Sequence, residues 1–200
     1  MRNWLTVAVL FAIALAILLP VFLRLNQRPR GVMRNTLKTE QAPPAEVYLG
    51  LRNQVFQRSR NQIGIPPTAA PTMPWGVVMD WGLSENTATV LALSDGSASV
   101  YFSNGGGFIG GQSHETVQKA AKRAVEISAE VKPLMRATTE YPLPKRGEVI
   151  FYVLTDAGVF GATAPEQDLR THRNPFSKLG DAAQEVISAY RLIQEKQPTN

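Results

Sequence analysis

The chain has 200 residues, 21 lysines and arginines against 16 acidic side chains, and no cysteine. Without cysteine there is no disulfide framework, no thiol nucleophile and no thiolate metal site. The whole formal excess of +5 sits in residues 1–40, where Arg2, Arg24, Arg28, Arg30, Arg34 and Lys38 oppose Glu40. Residues 41–200 balance, so a basic nucleic-acid face on the folded part has no support and no nucleic-acid partner is expected.

Trp4 to Leu23 runs 20 residues without a charge. At about 1.5 Å per residue such a helix crosses a hydrocarbon core of about 30 Å. Trp4 suits one interface, Arg24 marks the other, and Pro20 lies near the end where a lost backbone bond is easily met. The run exceeds the usual signal-peptide core, and no A-x-A site precedes the arginines. Residues 1–23 are therefore read as a membrane anchor, making the chain a single-pass protein of an inner or plasma membrane. Arg24, Arg28, Arg30, Arg34 and Lys38 follow the helix, where they can contact anionic lipid head groups. Their excess over Arg2 places the C-terminal domain in the cytoplasm by the positive-inside rule. The rival is an ordinary signal anchor that exports the domain.

Residues 24–44 form a basic linker ending in Pro43-Pro44. Residues 45–74 hold an amphipathic helix and a proline-rich connector. Val47, Leu51 and Val55 recur every four residues, with Tyr48 and Phe56 alongside. The sequence leaves open whether this helix packs on the domain.

Residues 75–197 are expected to form the α+β domain. Trp75, Val77, Met79 and Trp81 alternate onto one face of a first strand. Thr87–Leu93 and Ser99–Ser103 follow, joined by the turn Ser94-Asp95-Gly96-Ser97, as an antiparallel meander. Ser113 is placed to cap a helix whose buried face is Val117, Ala121, Ala124, Ser128 and Val131, closed by Pro133. Glu148–Leu154 and Val159–Thr163 pair through Thr155-Asp156-Ala157-Gly158. Asn174-Pro175 starts a last helix with the stripe Phe176, Leu179, Ala183, Val186, Ile187, Tyr190 and Ile193. The order is βββ-α-ββ-α, an antiparallel sheet of about five strands covered by helices.

Gly105, Gly106, Gly107, Gly110 and Gly111, with Ser113 and His114 after them, are the candidate ligand-binding residues. Glycine amides ahead of a helix can cradle an anion, although neither a parallel βαβ unit nor a Walker lysine accompanies them. The plainer reading is a tight, bulged link between strand and helix. His114 and His172 are the only histidines, and no metal motif contains them. Neither a metal nor an organic cofactor is expected. Asp80 shares a strand face with Val78 and needs a partner such as an arginine if that face is covered. Asp95 and Asp156 fit turns.

Asp95 to Gly111 reads D-G-x-A-S-x-Y-F-S-x-G-G-G-x-I-G-G and runs on to Ser113-His114-Glu115. In this it resembles a group of uncharacterised bacterial proteins that also share a strand like Phe151–Thr155 and a closing amphipathic helix. The resemblance covers residues 75–195. It implies a bacterial source and a shared domain, and carries no activity with it.

Three functions are expected from these residues. The first is a membrane-tethered, non-catalytic domain with a protein partner. The second is a small-ligand or anion-binding sensory domain using the glycines. The third is a hydrolase or transferase using Asp80 and His114, which requires both in one pocket.

Overall fold

The computed structural model describes residues 44–195. The anchor segment Trp4–Leu23 and the linker cations lie outside the described residues. Among the described residues no helix is long and apolar enough to cross a membrane.

Helix α1 (Pro44–Gln57) leads through a 3-10 turn (Arg60–Ile63) to strands β1 (Pro74–Gly82), β2 (Thr87–Leu93), β3 (Ala98–Phe102) and β4 (Gly107–Ile109). Helix α2 (Glu115–Val131) follows, then β5 (Arg136–Thr138), β6 (Glu148–Thr155), β7 (Gly158–Pro165), α3 (Glu166–Arg170) and α4 (Ser177–Glu195). All seven strands join one open antiparallel sheet in the order β4-β3-β2-β1-β6-β7-β5. The fold is α+β, as expected, with two strands more than the five anticipated. Both additions are three residues long and lie at the edges, β4 and β5. Three residues are too few for an alternating pattern to register, and β4 begins in glycines that rarely favour strands.

One sheet face carries Val77, Met79, Val90, Val100, Phe151 and Val153 under α2 and α4. The expected small-residue face of α2 packs there, with Val117, Ala121, Ala124 and Ser128 fully buried. Small side chains let the helix lie close to the sheet. The other face carries Trp75, Val78, Leu91, Leu93, Ile150, Tyr152 and Leu154 in a second cluster with Ile65, Val55 and Phe56. Trp75 thus lies opposite Val77 and Met79, although simple alternation puts all three together. The ladder between β1 and β6 slips between Pro74 and Gly76, which turns Trp75 to the other face.

Helix α1 belongs to the same compact unit as the sheet. Its inward face is Tyr48 and Arg52, 3% and 2% exposed, whereas Val47 of the expected stripe is 51% exposed. The helix is rotated by about one residue, or 100°, from the purely apolar reading. Asp80 on the sheet below supplies the reason.

Candidate functional site

Asp80 stands in the middle of β1 with no exposed surface, on the face beneath α1. A lone carboxylate there is untenable, and Arg52 of α1 meets it. Arg52 Nε and Nη2 donate to Asp80 Oδ2 at 2.9 and 2.6 Å. The remaining guanidinium donors reach the carbonyls of Tyr141 at 3.0 Å and Pro142 at 3.2 Å. Thr89 Oγ1 donates to Asp80 Oδ1 at 2.5 Å, so the Tyr48 hydroxyl, 2.8 Å from Thr89 Oγ1, donates to Thr89 in turn. Phe56 stacks on Tyr141 at 4.0 Å, and Arg52 Cζ lies 5.2 Å from the Phe56 ring and 5.7 Å from that of Tyr152. The cation is thereby held in an aromatic box.

Burial pushes the Asp80 carboxyl above its usual range, and the hydrogen bonds from Arg52 and Thr89 pull against that rise. Burial alone would lower the Arg52 guanidinium, but the bond to Asp80 leaves it raised. Burial also pushes the hydroxyls of Tyr48 and Tyr152 up to about 12. Every polar atom of the pair is engaged. The arrangement fastens α1 to the sheet and offers no carboxylate oxygen to a substrate.

The glycine segment lies at the sheet's other end. Phe102 N–H donates to Gly106 O at 3.2 Å and Gly105 N–H to Phe102 O at 3.0 Å, which folds β4 back on β3. Gly105, Gly106 and Gly107 all take positive φ there. Gly110 (φ 82) then opens a 3-10 turn, Gly111–Ser113, that leads into α2. Gly111 is buried where a Cβ would collide with Val117 Cγ1 and lie 2.6 Å from the Tyr190 hydroxyl. The Tyr190 hydroxyl donates to Ala98 O at 2.6 Å. Burial raises the Tyr190 hydroxyl, against the lowering influence of the nearby Gly111 backbone.

The helix cap differs from expectation. His114 occupies the N-cap of α2 without a side-chain cap bond, and Ser113 belongs to the preceding turn. The His114 amide donates to Gly111 O at 3.0 Å. Two of the seven candidate residues, Gly105 and His114, thus spend their amides within the protein. The bulged, close-packed link is the role the geometry gives this segment.

Asp80 and His114 do not converge, since Asp80 lies under α1 and His114 begins the helix on the opposite face. Asp95 holds its own turn by accepting from Ser97 N at 2.8 Å and Ser97 Oγ at 2.7 Å. Asp156 pairs with Arg60 Nε at 3.0 Å. Among the described residues no three His, Asp or Glu side chains gather as a metal-binding group.

The sequence reading missed Ile109. Bonding of Phe102 to Gly106 fixes the β3–β4 alternation, so Phe108 faces β3 and both Gly107 and Ile109 point their N–H and C=O groups outward. Ile109 is 69% exposed, the most exposed large apolar side chain among the described residues. From Ser103 to Ser113 this edge has no charge and no proline. The opposite edge is guarded: exposed Arg136 and Glu140 stand beside β5 around an open groove of about 490 Å³, and β7 ends at Pro165. The signal was an isoleucine between uncharged glycines, a pattern that reads as loop when no partner strand is known.

No family model, curated protein or solved structure matches this chain.

Proposed function

We propose that this chain is a membrane-tethered, non-catalytic protein-interaction domain. Residues 1–23 anchor it as a single-pass protein of an inner or plasma membrane. Arg24, Arg28, Arg30, Arg34 and Lys38 lie at anionic head groups, and the folded domain stands in the cytoplasm. The observation that carries the interaction reading is the β4 edge, with its outward peptide groups and exposed Ile109. Soluble proteins guard such edges, and an unguarded one is a template for another chain. Tethering raises local concentration, so a small edge suffices. Anion capture by the same glycines ranks lower because the amides of Gly105 and His114 are already bonded and Gly111 is buried against Val117 and Tyr190. A hydrolase built on Asp80 and His114 lacks the convergence it requires.

The test is a photoreactive phenylalanine analogue in place of Ile109, in the full chain within native membranes. The reading predicts a covalent protein adduct from that position and none from the same analogue at exposed Ala157. Absence of any adduct at position 109 contradicts it.

A further inference from the structure

We infer that the partner on the β4 edge is a second copy of this chain, joined strand to strand across a two-fold axis; this rests on the interaction reading above. An antiparallel edge is complementary to itself. With Phe108 opposite its counterpart, Gly107 of each copy faces Ile109 of the other, and those are the two residues whose peptide groups point outward. Directly opposed residues share a sheet face. Ile109 therefore lies over Gly107 of the other copy, where the missing side chain leaves room for it. Phe108, stacked on Tyr190 at 5.2 Å, meets its counterpart on the opposite face.

Charge and direction favour a second copy over an unrelated chain. Nothing charged lies between Ser103 and Ser113, and residues 41–200 are balanced, so two copies meet without repulsion. The two-fold axis of an antiparallel strand pair stands normal to the sheet. Both α1 helices, each beginning at Pro44, then lie on the same face of the joined sheet. Two copies paired this way can be held by one membrane. A three-residue ladder is far below a standard interface, so pairing needs the effective concentration that co-tethering supplies.

The chain has no cysteine, so Asn104→Cys, exposed beside β4, gives a single labelling site. Full-length chains bearing donor or acceptor dyes would be reconstituted together in liposomes at low surface density. Energy transfer above random proximity is expected. It should be lost in Ile109→Lys, which guards the edge with a charge, and in Ile109→Pro, which removes an outward N–H and no β3 ladder bond. Both variants should keep the thermal midpoint of the parent, which shows that the fold survives. Transfer at the random level in the parent, or transfer unchanged by both variants, overturns the proposal. An adduct at position 109 containing only a different protein, or only residues 24–43 of the same chain, also overturns it. The different-protein adduct leaves the interaction reading standing, whereas no adduct removes both.

Discussion

At the scale of single residues, the Arg52–Asp80 pair decides how α1 sits. Removing one member leaves the other charge buried without a partner, which costs about 3–5 kcal/mol. Asp80→Asn should therefore destabilise the domain by about that much in denaturant unfolding. The double replacement Arg52→Met with Asp80→Leu should cost markedly less, because no charge is stranded. Equal losses in the single and double variants would contradict the account. The need for a cation at Asp80 was legible, since alternation put Asp80 beside Val78 on a face with no other use than burial. Arg52 was not legible as that cation. An arginine on a helix normally faces water, and an apolar stripe through Val47, Leu51 and Val55 competed with the true face. The tyrosines of this cluster give a second test. Tyr48 and Tyr152 are pushed up to about 12 in the folded protein against 10.0 for a free tyrosine. A folded value above the unfolded one means the stabilisation is complete below pH 10 and is lost as pH rises towards 12. Unfolding midpoints should fall through that window, and Tyr48→Phe should shallow the fall. A flat profile would refute the burial of these hydroxyls.

At the scale of elements, the glycine segment is a packing device at one end and an open edge at the other. Gly111→Ala drives a methyl into Val117 and Tyr190 and should cost about 1–3 kcal/mol by overpacking. Gly106→Ala meets nothing within 4 Å and pays only for its φ of +81. That penalty is about 1–2 kcal/mol, so the comparison needs a second readout. Gly111→Ala should also displace the Tyr190 hydroxyl from Ala98 O, seen as a changed tyrosine signal in near-ultraviolet circular dichroism, whereas Gly106→Ala should not. The long strands were readable because alternation persists over five or more residues, and α2 because its small residues repeat at helical spacing. The strands β4 and β5 were not readable. Gly107-Phe108-Ile109 and Arg136-Ala137-Thr138 gain their conformation from the ladders beside them, and a neighbouring strand is not visible in a local pattern.

At the scale of the whole molecule, the chain joins two regions of different chemistry. Residues 1–40 carry the apolar run and all the net charge, and residues 41–200, balanced in charge, carry an α+β domain fastened to its first helix. The apolar run was plain in the sequence because it continues for 20 residues without a charge, the length a membrane span needs. The exposed β4 edge was hidden because exposure is a property of the assembled sheet. The central claim is that this edge works at the cytoplasmic face of a membrane, and topology tests it most directly. Ala157, exposed in the turn between β6 and β7, is the best probe position, since Ser94 in the β2–β3 turn is half-buried. The full chain with Ala157→Cys would be treated in cells with a membrane-impermeant thiol reagent, before and after lysis, and its membranes extracted with alkaline carbonate. The account predicts a chain that stays in the membrane pellet and is labelled only after lysis. Release into the supernatant, or labelling of intact cells with a permeabilised outer envelope, would contradict it.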